Sequence, residues 1–143
     1  MNILFVNPCR PFHGMQRHFD YMEILKNSLA RAFSLNNLAR LCIDEAIHLA
    51  YSKSETVIML DIVGEIYNFR KTQKYPEAFC FELEKKFQNM VDPNFSEYSI
   101  FCEKDGVPIN TLDAGGLRVL MSAVSNGEIR EFLGQLILHS LMF

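Results

Sequence analysis

The stretch TVIMLDIVGEIYNFR, Thr56 to Arg70, can be read in two ways, and the choice sets the fold. Its opening, TVIMLDIV, is apolar and rich in β-branched side chains, the composition of a buried strand. Over the longer stretch, however, Ile58, Ile62, Ile66 and Phe69 recur at three and four residues, with Met59 and Val63 beside them. That spacing stacks them on a helix. A helix here is apolar over most of its circumference and therefore central. Ser52-x-x-Glu55 has capping-box spacing and predicts its start. The polar run Arg70–Tyr75 ends it.

The same period extends on both sides. Upstream, Met15, Phe19, Met22, Leu25, Leu29 and Phe33 make one stripe, and Leu35, Leu38, Cys42, Ala46 and Leu49 a second. Ser34 is the expected cap between them, either separating two helices or bending one long helix. Downstream, Pro76 opens a helix that buries Phe79, Leu83, Phe87 and Met90 and stops at Asp92-Pro93-Asn94. Asp113 caps a helix running to about Val124, and Asn126-Gly127 precedes a last one with Ile129, Phe132, Leu133, Leu136 and Ile137 inward. Only one stretch reads fully as β, with a second, shorter one compatible with it. Residues 2–6 have the composition of a short strand. Residues 98–111 read as a hairpin, with Asp105-Gly106 supplying the positive φ of a tight turn and Pro108 keeping its strand at an edge. The expectation is a mainly α fold of about six helices in one domain, 1–143, with one hairpin.

Composition narrows the class. The chain is 49% hydrophobic and 22% charged, with 12 Phe, 7 Met and no Trp, which is globular composition. No stretch has the run of about 20 apolar residues that a membrane span requires. Residues 3–6 lack a basic lead and are closed by Asn7-Pro8, unlike a signal peptide. Cys9, Cys42, Cys80 and Cys102 are far apart, and with no secretion signal they read as reduced thiols in the cytoplasm or nucleus. The net charge is −3 and unevenly placed. Residues 1–40 hold five basic and two acidic side chains, whereas residues 87–143 hold three and seven. Such an asymmetry can steer one end toward an acidic partner, or one copy onto another.

Candidate chemistry is sparse. Cys9, His13 and His18 lie in NPCRPFHGMQRH, residues 7–18, but three loosely spaced ligands do not close a tetrahedral zinc site, so no metal or other cofactor is expected. Cys42 and His48 point to different helix faces, and Asp44 with His48 is an ordinary surface pair. Asp113-Ala-Gly-Gly116 could offer free N–H groups to an anion, although glycine at a helix entry is common. No Walker loop, dinucleotide fingerprint, H-E-x-x-H or G-x-S-x-G is present. Nucleic-acid binding is not expected of an acidic chain whose one basic cluster, Arg70, Lys71 and Lys74, sits at a helix end where the dipole favours cations.

Residues 45–62, EAIHLAYSKSETVIMLDI, resemble the stretch of histone-fold proteins where the long central helix ends and a short loop leads into the next. Thr56, Val57, Asp61 and Ile62 match that spacing. The resemblance implies a dimerisation module. The remainder departs from it, with Ser34-Leu35-Asn36-Asn37 inside the would-be long helix and no basic DNA-facing surface.

Surplus apolar residues point elsewhere. Phe81 lies off the Phe79/Leu83/Phe87 face, Phe95 sits in a Pro-Asn loop, and Leu141-Met142-Phe143 carries no charge. Exposed Phe and Met form adaptable contact surface, and aromatic anchors commonly dominate interfaces. The expected function is therefore non-enzymatic protein–protein interaction, as an adaptor, chaperone, regulator or pathogen effector. The expected binding residues are Phe81, Phe95, Arg70, Lys71 and Lys74. A structural homo- or hetero-oligomer is the alternative, and a small enzyme assembled from distant Cys and His residues the second.

Overall fold

The structure, a computed structural model, describes residues 6–143. Residues 56–70 resolve in favour of the helix. Val57 and Ile58 stay extended, and a helix then runs Met59–Lys71. Met59, Ile62, Val63, Ile66 and Phe69 are buried along it. The predicted capping box at Ser52 does not form. The Ser52 hydroxyl instead donates to the Leu49 carbonyl in the preceding helix, and the backbone N–H of Ile58 donates to the Asp61 carboxylate at 3.0 Å. Two buried residues, Val57 and Ile58, need the extended approach, so the helix begins later than the box predicts.

Among the described residues there are eight α-helices: α1 His18–Ala32, α2 Asn37–Lys53, α3 Met59–Lys71, α4 Glu77–Lys86, α5 Gln88–Val91, α6 Tyr98–Phe101, α7 Ala114–Ser122 and α8 Gly127–Met142. A short 3-10 turn spans Ile109–Thr111. The middle helix is central as predicted: α3 packs against α2, α4 and α5. The pair α1 and α8 closes the other side. Tyr21, Phe12, Phe33, Phe87, Phe101 and Phe132 are the largest fully buried side chains. Among the described residues no helix is long and apolar enough to cross a membrane.

The boundary between α1 and α2 is a true break. Ser34 takes a left-handed backbone (φ 52°), and the cap is two residues on, where the Asn36 side chain accepts from Ala39 N–H at 2.9 Å. The helix predicted from Pro76 onward is interrupted at Phe87, whose ring turns inward onto Phe33 with centroids 5.0 Å apart. Asp113 caps α7 as its sequence position predicts, accepting from Gly116 N–H at 2.7 Å, and Asn126, read from sequence as part of a helix-breaking pair, caps α8 by accepting from Ile129 N–H at 3.0 Å.

The hairpin at 98–111 is overturned: no strand forms among the described residues. The Glu97 carbonyl accepts from Ile100 and Phe101 N–H groups, so residues 98–101 make one helical turn. Ile100 and Phe101, adjacent in sequence, are both buried, which strand alternation would forbid. Phe101 stacks on Phe132 at 5.9 Å. Gly106 is needed for space: a Cβ there would lie 2.3 Å from the Val6 carbonyl carbon. This close approach lets Val6 and Val107 form an isolated parallel bridge. The strand expected at 2–6 otherwise lies outside the described residues.

Candidate functional site

The exposed side of α3 follows from its sequence. Leu60, Gly64, Tyr67 and Lys71 are spaced four, three and four, so they form one ridge opposite the buried Ile62, Ile66 and Phe69. Leu60 and Tyr67 remain 43% and 41% exposed, large values for apolar side chains on the most central helix. A Cβ added at Gly64 would meet nothing within 4 Å, so the ridge has an open notch between its two large residues.

Beside this ridge stands α4, and cations lock the two together. The Arg70 guanidinium carbon lies 4.9 Å from the Tyr67 ring centre and 5.9 Å from that of Phe81. Lys71 Nζ lies 5.3 Å from Tyr67, and Lys85 Nζ lies 5.5 Å from Phe81. The order across the surface is thus Lys71, Tyr67, Arg70, Phe81, Lys85. Glu84 accepts from Arg70 Nε at 2.8 Å and from a second guanidinium nitrogen at 3.4 Å. This hydrogen-bonded carboxylate raises the Arg70 pKa further and fixes the planar group between the rings. Phe81 remains 50% exposed.

Two hollows flank the ridge. One, of about 330 Å³, is bounded by Val63, Phe81, Glu84, Lys85, Gln88 and Val91. The other, of about 490 Å³, is lined by Leu60, Gly64, Tyr67, Lys53 and Lys104 and by the acidic Asp61 and Glu65, the last paired with Lys53 at 2.7 Å. An apolar ridge thus runs between two hollows edged by charged side chains.

Of the residues predicted from sequence, Arg70, Lys71 and Phe81 come together here. Lys74 turns away: its ammonium pairs with Glu45 at 2.6 Å and sits 5.4 Å from the Phe69 ring. Phe95 lies in the turn between α5 and α6, 38% exposed, and lines neither hollow. Leu60, Tyr67 and Lys85 were missed. The excess of apolar residues around α3 was a signal for the first two, because a helix buried on one side cannot bury them all.

The other candidates disperse. Cys9 is fully buried, and burial pushes its thiol pKa far up; His13 and His18 are exposed. Among the described residues no group of three Cys, His, Asp or Glu side chains is placed to hold a metal. Burial raises the Cys42 and Cys102 thiols to about 12 and about 11, which suppresses the thiolate that nucleophilic chemistry needs. His48 Nδ1 is 2.8 Å from the Asp44 carbonyl oxygen, a contact within its own helix. The N–H of Gly116 is taken by Asp113, so that donor is not free for an anion.

Compared with known proteins, the chain matches no family model, no curated protein and no solved structure. The local resemblance to the histone fold therefore extends to a helix end, a loop and a helix start at residues 53–59, while α1 and α2 remain separate helices.

Proposed function

We propose that this chain is a non-enzymatic protein-interaction module. Its α3–α4 face receives an amphipathic helix from a partner, one that carries apolar anchors beside acidic side chains. The observation that supports this most is the alternation of Lys71, Tyr67, Arg70, Phe81 and Lys85. Two aromatic rings are exposed yet held in place, so little side-chain freedom is lost on docking. Lys71 and Lys85 have no carboxylate within ion-pair distance among the described residues, which leaves them to select acidic groups on the partner. The notch at Gly64 allows close approach of a helix backbone. A setting in the cytoplasm or nucleus accords with four unpaired cysteines.

The test is selection of a displayed library of random sixteen-residue peptides on the immobilised wild-type chain. The expected winners have apolar residues at helical spacing with acids beside them, and compete with one another for one site. A library that yields no enrichment, or only peptides indifferent to Tyr67→Glu, contradicts the reading. Light scattering on the chain alone separates a foreign partner from a second copy. A dimer dissolved by Tyr67→Glu would replace the foreign helix with self-association through the same face.

A further inference from the structure

A second site lies away from this face and does not depend on the reading of it. Residues 7–17, ahead of α1, form no helix or strand, yet they are tied down at many points. Arg10 donates through its guanidinium to the Gly106 carbonyl at 3.0 Å and through its backbone N–H to Asn7 at 2.9 Å. The Asn110 amide grips His13 on both sides, accepting from its N–H at 2.7 Å and donating to its carbonyl at 3.0 Å. The Tyr51 hydroxyl donates to the Cys9 carbonyl. Irregular chain held this firmly by a helical scaffold is where binding groups are commonly displayed.

What it displays is a hollow of about 270 Å³. Arg10, His13 and His18 line it, as do the buried Phe12 and the half-buried Tyr51. Three nitrogen-bearing side chains and two aromatic ones thus line one hollow. Among the described residues, Gly106 uses one guanidinium nitrogen of Arg10, and the other donors of its planar fork have no partner. Among the described residues Arg10 has no carboxylate within ion-pair distance. His18 opens α1, whose first turn has no side-chain cap. Glu55 is the one acidic group lining the hollow.

From these features we infer that the hollow binds a small organic phosphate monoester. Arg10 takes the phosphoryl oxygens in a forked pair, and His13 and His18 add further donors. The apolar body of the ligand lies on Phe12 and Tyr51. Glu55 opposes the anion and holds the affinity down. Neither the fold nor the α3–α4 face gives Arg10, His13 and His18 a common purpose; this ligand does.

The experiment uses phenyl phosphate as probe, titrated into the whole isotope-labelled chain and followed by two-dimensional NMR and calorimetry. Phenyl phosphate is expected to saturate shifts of residues 10–18 and Glu55, and phenol to bind at least about tenfold more weakly, the difference one charge-assisted pair supplies. His13→Ala/His18→Ala alters two exposed side chains, should fold as wild type, and is expected to weaken binding several-fold. Glu55→Gln should tighten it. Overturning results are the absence of saturable shifts in residues 10–18 up to roughly 10 mM phenyl phosphate, equal binding of phenol, or unchanged affinity in both variants.

Discussion

The side-chain amide of Asn7 donates to the carbonyl of Val57 at 2.9 Å, joining chain positions fifty residues apart. Val57 is the extended residue before the N-cap of α3, so its carbonyl has no helical partner. Asn7 is fully buried, and its own amide oxygen accepts from Cys9 N–H at 3.0 Å. Its backbone N–H donates to Val107 at 2.9 Å. One residue thus bonds to three segments and anchors both the loop before α1 and the approach to α3. Asn7→Ala should cost about 2–4 kcal/mol, because it strands a buried carbonyl and a buried N–H as well as removing two hydrogen bonds. Urea denaturation checks this; a loss below about 0.5 kcal/mol would remove the anchor from the account.

The centre of the core is tested at Ile62, which is completely buried. Ile62→Asp places an unpaired carboxylate where Ile62 packs in α3, and should destabilise by about 4 kcal/mol or more. A melting temperature within a degree or two of wild type, on the scale expected for a surface change, would mean that α3 is not central.

Acid should weaken the fold partly through Glu45. Its carboxylate accepts from Lys74 at 2.6 Å and from the Tyr75 hydroxyl at 2.7 Å. The Lys74 hydrogen bond is the main cause of a pKa below the ordinary glutamate value, with Tyr75 next. A folded-state pKa below the unfolded one stabilises the protein above the unfolded value, near 4.3, and that share is lost as pH falls through the folded one. Lys74 is half exposed, so the contribution is about 0.5 kcal/mol after screening. Urea midpoints at about pH 6 and about pH 3 should fall less steeply for Glu45→Gln than for wild type. Equal falls would show that the pair contributes nothing.

Gly64 separates stability from use. No atom of the chain needs its missing Cβ, and glycine within an exposed helix costs about 1 kcal/mol relative to alanine. Gly64→Ala should therefore raise stability by up to about 1 kcal/mol while weakening any helix docked along the ridge. A variant that is more stable and binds display-selected peptides as wild type does would remove the notch from the docking geometry.

Much of this architecture was legible because helices announce themselves at short range. The three- and four-residue spacing through Ile62, Ile66 and Phe69, and the cap at Asp113, are local signals that the packed structure keeps. The hairpin failed for a non-local reason. Asp105-Gly106 looks like a turn pair, but Gly106 is there to let Val6 pass, a requirement set by a residue one hundred positions away. The start of α3 failed likewise, since Ser52 is consumed by the end of α2. At the candidate surface, Phe81 was visible as an aromatic off its own helix stripe. Its alignment with Arg70 and Tyr67 was not, because it depends on how α3 and α4 pack. Lys74 and Arg70 look alike in sequence and differ only in which carboxylate the fold brings to each.

The central claim is that the Tyr67–Arg70–Phe81 face, rather than exposed aromatic surface in general, receives a partner helix. Phe81 and Phe95 provide the comparison, being 50% and 38% exposed. A display-selected peptide, fluorescently labelled, is titrated into wild type, Phe81→Glu and Phe95→Glu, each shown to melt as wild type. The account predicts at least about tenfold weaker binding for Phe81→Glu, the loss of a single interface anchor, and less than about twofold change for Phe95→Glu. Equal losses in the two variants, or none in Phe81→Glu, would contradict it.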